Sequence, residues 1–246
     1  NNDIKKRIKP NLKVFDLILS GLYGKYCFIS NKSERDLYKV DSIIKKMRAS
    51  KNWPNNKYYP MESSEIKKLW YDNGKKASAD GTKMHNDIER YYNNLSVEND
   101  TIEYNQYFMK FAEDHKHLTP YRTEWMIYDK ALKFAGSMDM TYINEDGTVS
   151  IYDWKRCKKI EKANGFGQFS TNKIIEDFPD SNYWHYSLQL NTYASIIERN
   201  YKLKVKDLYI VCLHPNNKNK SYLKYKVPDL KDKVALLFQE REKNIK

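Results

Sequence analysis

The chain has 246 residues, of which 40% are hydrophobic and 14% aromatic, enough for one well-packed domain or one domain with an appendage, and this excludes a small disulfide-stapled scaffold. Lys and Arg number 44 against 32 Asp and Glu, a formal charge of +12; a surface of that sign attracts polyanions, so nucleic acid heads the candidate partners. The three cysteines, Cys27, Cys157 and Cys212, lie far apart with no CxxC pair, which argues against a disulfide framework or a zinc ribbon and fits a reducing, intracellular compartment.

No run approaches the roughly 18 apolar residues of a membrane-spanning helix, and the opening Asn1-Asn2-Asp3-Ile4-Lys5-Lys6 lacks the apolar core of a secretory signal. A soluble protein with no membrane partner is expected. The first residue is Asn rather than Met, so the numbering is compatible with a piece of a longer product. Cytoplasm, nucleus, mitochondrion and viral factory are not distinguished. Heavy use of Lys, Asn, Ile and Tyr points to an A+T-rich coding sequence, as in a virus or parasite.

Residues 1–80 read as a basic, mostly helical lead-in, with helical stretches from Glu34 to Met47 and from Ser63 to Tyr71 and a turn at Asn52-Trp53-Pro54-Asn55-Asn56. Residues 81–246 read as the core. From Gly81 to about Leu95, Met84, Ile88, Tyr91 and Leu95 form one apolar stripe at helical spacing, with His85, Glu89 and Tyr92 beside it. Three short β-rich runs follow, Tyr121 to Tyr128, Leu132 to Ile143 and Thr148 to Trp154, joined by turn residues at Asp129-Lys130 and Asn144-Glu145-Asp146-Gly147. This predicts an antiparallel meander.

A Lys- and Gly-bearing stretch, Lys158 to Gln168, leads to a core helix over Tyr183 to Asn200; Leu208 to Leu213 and Tyr222 to Val227 read as strands, and Leu230 to Lys246 as a charged terminal helix. The order helix, three strands, helix, strand predicts an α+β (α/β) fold. Its central mixed sheet carries helices on both faces, because the fourth strand must return through a helix.

Chemistry concentrates at Asp139 and Asp153-Trp154-Lys155, each carboxylate near the end of its predicted strand. Alternation puts Asp153 and Lys155 on one face and Trp154 on the other, and neighbouring strands can bring the two carboxylates together. Two carboxylates so held repel unless they share a cation, and hard divalent ions take oxygen ligands, so a metal site is expected. Such a site, with an ammonium alongside, suits phosphodiester hydrolysis. By itself the spacing is more often met as strand-end charges at the surface, with Lys155 as their salt-bridge partner.

Taken in order, Gly81-Thr82-Lys83-Met84-His85, the acidic Thr123-Glu124-Trp125, Gly136-Ser137-Met138-Asp139, Ile151-Tyr152-Asp153-Trp154-Lys155 and Gln189-Leu190-Asn191-Thr192-Tyr193 resemble the PD-(D/E)XK nuclease superfamily. The likeness is to its RecB-like exonuclease branch, near the mitochondrial genome maintenance exonucleases and viral or phage relatives, and covers about Trp70 to Leu213. The resemblance implies a restriction-endonuclease-like core and a Mg²⁺- or Mn²⁺-dependent exonuclease of replication, recombination or repair, with a helicase or replication protein as a conceivable partner.

It implies His85 as the helical histidine that completes the metal shell, Asp139 and Asp153 as metal carboxylates, Trp154 as a backbone-carbonyl ligand and Lys155 as the catalytic lysine. Glu124 would sit behind the ligands or at a second metal. Gln189 and Tyr193, four apart on one helix face, would reach substrate phosphate or the lysine. Where the family often has Thr-Ser after the lysine this chain has Arg156-Cys157, which makes Arg156 a replacement phosphate contact. Scattered cysteines exclude the iron-sulfur cluster of some relatives, and Gly21-Leu22-Tyr23-Gly24-Lys25 lacks the spacing of a nucleotide-binding loop, so no nucleotide cofactor is expected.

Basic and aromatic residues interleave in the lead-in, from Lys45 and Arg48 to Trp53, Tyr58 and Tyr59, and a second basic run, Lys158-Lys159, follows the acidic site. Cations hold phosphates without reading sequence and aromatic faces stack unpaired bases, which favours single-stranded DNA or frayed duplex ends. An endonuclease of the same fold acting on DNA or RNA, and a binding module that has lost cleavage, are the competing readings. Oligomeric state, polarity of digestion and organism leave no trace in the sequence.

Overall fold

The structure is a computed structural model that describes residues 34–97, 101–165 and 167–245. Cys27 and the Gly21 to Lys25 segment lie outside the described residues. Two compact units divide the chain between Lys83 and Met84.

The first unit holds α1 (Glu34–Arg48), a single turn at Trp53–Asn55 and most of α2 (Ser63–Tyr92). The Glu62 N–H donates to Glu65 Oε2 at 2.7 Å, half of a capping box that supplies an otherwise orphaned donor with an acceptor at the start of α2. Arg48 donates to Glu62 and Ser63, each at 3.0 Å, and Ile44 and Ile66 are buried.

Where the sequence suggests two helices, Ser63 to Tyr71 and Gly81 to Leu95, the chain makes one of 30 residues. Gly74 and Gly81 fall inside it, each facing open space. A glycine in a helix interior costs about 1 kcal/mol relative to alanine, a loss the flanking turns absorb.

The second unit is built on a five-stranded sheet in the order β1 (Thr119–Asp129), β2 (Phe134–Ile143), β3 (Val149–Lys155), β4 (Val205–Cys212), β5 (Leu223–Lys226). β1, β2 and β3 form the expected antiparallel meander, β4 lies parallel to β3, and β5 runs antiparallel to β4. The parallel return passes through α4 (Asn182–Ile196), as a crossover must. The fold is thus α+β: a mixed sheet flanked by helices, with a helical region before it.

Two apolar layers follow from strand alternation. On one face Val149, Ile151, Ile210 and Cys212 pack with Leu190, Tyr193, Ala194 and Ile197 from α4 and the turn after it. The terminal helix (Lys231–Asn244) adds Val234 and Leu237 against Leu188. On the other face Tyr142, Tyr152, Trp154 and Val211 meet Met84 and Ile88 together with Tyr104, Tyr107, Phe108 and Phe111.

Those last four come from a helical segment that the sequence pattern above does not include, a wide π turn at Glu103–Phe108 running into α3 (Met109–Asp114). Their spacing of three, one and three is the helical signature that would have found it.

Candidate metal centre

The sheet register brings the acidic residues together. Thr123 pairs with Met140 and Trp125 with Met138, while Met140 pairs with Tyr152. Glu124, Asp139 and Asp153 therefore fall on one rank across three adjacent strands. Met138 joins the layer that holds Tyr193 whereas Met140 joins the opposite layer, so β2 exchanges faces at Asp139. Opposite that point Glu124 adopts a left-handed backbone with φ 42°, a conformation that costs a non-glycine residue about 1–3 kcal/mol and concentrates at functional sites.

His85 from α2 completes the group. His85, Glu124 and Asp139 each offer a ligand atom, all within 4.8 Å of one another. The imidazole Nδ1 stands 3.5 Å from Asp139 Oδ1 and 3.7 Å from Glu124 Oε1. Ser137 Oγ donates to Glu124 Oε2 at 3.1 Å, and the Trp154 N–H donates to Asp139 Oδ2 at 2.8 Å. Each carboxylate is thus steadied through one oxygen while the other faces the histidine. Two carboxylates and one imidazole at this spacing suit a single divalent ion with bonds of about 2.0–2.6 Å.

Asp153 is adjacent but differently engaged. Its side chain is 3% exposed, and Oδ2 lies 2.6 Å from Lys155 Nζ. Burial pushes its carboxyl up to about 6, helped by the Asp139 charge and opposed by Lys155. Burial also works against the Lys155 ammonium, but Asp153 and then Asp139 outweigh it and the pKa is raised. Lys155 is therefore a fixed cation at neutral pH. Burial likewise disfavours the charged His85, yet Asp139 carries its pKa up to about 10. Burial raises Asp139 too, and the His85 charge more than reverses this, leaving it lowered. Without a metal, the imidazolium and the ammonium share the work of neutralising the carboxylates.

Helix α4 covers the lysine side. Gln189 Nε2 donates to Tyr193 Oη at 3.0 Å, one turn apart as the spacing requires. Tyr193 is buried over Gly136: a Cβ at that glycine would meet the tyrosine ring at 2.6 Å. One further residue, Tyr186, carries no motif signal in the sequence. Its ring centroid lies 4.7 Å from Lys155 Nζ, so the ammonium sits between a carboxylate and an aromatic face. Tyr186 is three residues before Gln189, a helical spacing that places it on the same side.

The basic residues behind the site divide. Arg156 Nε donates to the buried Glu103 at 2.6 Å, so its guanidinium is tied to the protein. Lys158 and Lys159 are exposed, Lys159 pairing with Glu161 at 2.7 Å. Cys157 and Cys212, distant in sequence, bring their sulfurs to 3.6 Å because Lys155 pairs with Cys212 across β3 and β4. No described helix is long and apolar enough to cross a membrane.

No family model matches the chain, and no curated protein matches it. Among solved structures it is similar to a protein of Eubacterium rectale proposed to be an exonuclease, at 16% identity and a TM-score of 0.34. That match takes in 58% of this chain and 50% of the other. It is similar also to SSO0001, at 12% identity and a TM-score of 0.29 over 56% of each chain. The chain thus spans about half of either protein, and a likeness this loose assigns no activity.

Proposed function

We propose that the protein is a divalent-metal-dependent nuclease of the PD-(D/E)XK type, hydrolysing phosphodiester bonds in DNA. One observation carries the reading: three carboxylates on a single rank of the sheet, capped by an imidazole, with a half-buried ammonium on the same face as Asp153. His85, Glu124 and Asp139 would hold the ion, with Asp153 and the Trp154 carbonyl completing its shell, and the oxygen-rich set favours Mg²⁺ or Mn²⁺ over softer metals. When bound, such an ion supplies Lewis-acid polarisation of the phosphoryl oxygen and a water of lowered pKa.

The remaining work falls to the chain's own groups. Lys155, held as an ammonium by Asp153, offers positive charge to the pentavalent phosphate as negative charge develops on it, and orients the attacking water. Gln189 fixes Tyr193 and keeps its remaining amide hydrogen for substrate. Lys158 and Lys159 approach the strand from outside the site, whereas a phosphate contact from Arg156 would require its pair with Glu103 to open.

An exonuclease acting on single-stranded or frayed ends in replication, recombination or repair, with the helical residues before the sheet (1–80) adding grip, is the form of activity proposed. In an end-labelled assay on linear DNA, degradation with Mg²⁺ or Mn²⁺ is expected to stop on chelation and return on adding the ion back. Cleavage that persists in excess chelator would exclude the metal mechanism. A circular single strand separates the related endonuclease reading, since an exonuclease leaves it whole.

Tyr186 supplies a second test. If its ring steadies the Lys155 ammonium, Tyr186→Phe keeps the aromatic face and near wild-type turnover, while Tyr186→Leu loses about 3- to 30-fold in kcat, the equivalent of one partly desolvated cation–π contact. Equal turnover in the Phe and Leu variants would remove Tyr186 from the machinery.

A further inference from the structure

Beside the carboxylates, along the outer side of β1, lies a shallow, open hollow of about 510 Å³ lined by Asn93 and the consecutive residues Tyr121 to Met126. Among the described residues β1 is the terminal strand of the sheet, with β2 as its one strand neighbour. Glu124 belongs to both the hollow and the candidate metal centre, so whatever occupies the hollow adjoins the reacting position.

The walls are unusual for a solvent-facing strand edge. Tyr121 is 39% exposed and meets Trp125 edge to face, with ring centroids 5.8 Å apart. Trp125 is buried and braced from behind by Tyr201 at 5.3 Å. The Arg122 guanidinium lies 4.9 Å from the Trp125 ring and 5.7 Å from the Tyr121 ring, yet pairs with no carboxylate among the described residues. A guanidinium stacked on aromatics keeps its in-plane N–H groups for an anion.

We propose that this hollow is a nucleotide subsite for the residue adjoining the scissile phosphate: an unpaired base lies against the exposed Tyr121 ring, and Arg122 takes a phosphate of the same strand. Arg122 sets that orientation, because its guanidinium draws a phosphate while the uncharged base takes the aromatic wall. A base stacked on tyrosine has left its own helix, so the subsite selects single-stranded nucleic acid. The inference rests on the nuclease reading and assigns its single strand a binding position beside the metal centre.

The test is fluorescence anisotropy with a short labelled oligothymidylate in chelator, so that binding is read without cleavage, beside an abasic chain of equal length. Tyr121→Ala is expected to weaken oligothymidylate binding about 5- to 150-fold. Tyr121→Phe should bind like wild type, and the abasic chain should not distinguish Tyr121→Ala from wild type. Arg122→Ala is expected to lower the slope of log affinity against log salt by about 0.7, one single-strand phosphate contact. Unchanged affinity and salt slope in both variants, with wild-type melting temperatures, would overturn the subsite while metal-dependent cleavage by the wild type still stands. A wild type that neither binds nor cleaves overturns the nuclease reading and the subsite with it.

Discussion

Lys155→Ala is expected to lower phosphodiester cleavage about 10²- to 10³-fold, the loss seen when one preorganised donor to a developing anion is removed. The ammonium is pinned at 2.6 Å from Asp153 and under the Tyr186 ring, so its position is set before substrate arrives. The same variant also strands a buried carboxylate, and breaking one partner from a buried pair costs stability as well as chemistry. A double variant separates the two effects. Asp153→Asn with Lys155→Ala removes both charges of the pair, which restores much of the stability lost in Lys155→Ala but recovers no activity. Thermal melting and single-turnover cleavage at saturating Mn²⁺ read the two quantities independently. Turnover within a few fold of wild type in a well-folded Lys155→Ala protein would show that the ammonium is only a structural counter-ion.

Much of this arrangement is legible in the chain because strand alternation and turn residues are local properties. Asp129-Lys130 and Asn144 to Gly147 fix two hairpins, and the hairpins fix which residues face each other, so the adjacency of Asp139 and Asp153 follows from turn positions alone. Long-range placement is a different matter. Glu124 is expected behind the ligands or at a second metal, but its left-handed φ and the face exchange at Asp139 bring it level with His85.

Arg156 looks available for phosphate in the sequence because its partner Glu103 belongs to a segment 53 positions away. Tyr186 is one aromatic among 21 tyrosines, and only the docking of α4 on the sheet gives it the lysine. Cys157 and Cys212 read as scattered until the parallel register of β3 and β4 joins them. Helix α2 departs the other way: it runs unbroken through Gly74 and Gly81, the cost of two glycines being small against the hydrogen-bonded turns on either side.

The face opposite the site carries the largest expected stability effect. Trp154 interrupts the charged run Asp153-Trp154-Lys155 and points into the other layer, 1% exposed, with Phe111 at 5.1 Å and Phe108 at 5.7 Å in edge-to-face contact. Truncating a buried tryptophan removes both transfer energy and packing, so Trp154→Ala is expected to cost about 3–5 kcal/mol. For a chain of this size that lowers the melting temperature by about 6–20 °C. Trp154→Phe should cost less than half as much, because the indole Nε1 is buried with no hydrogen-bond partner among the described residues and the phenyl ring abolishes that donor along with the lost carbons. Cleavage should survive in Trp154→Phe, since Asp139 is held by the backbone N–H of residue 154 and not by its side chain. Calorimetric melting of the two variants, read beside their cleavage rates, distinguishes a packing role from a ligand-positioning one. A Phe variant that melts like wild type but no longer cleaves would assign the indole itself to the site.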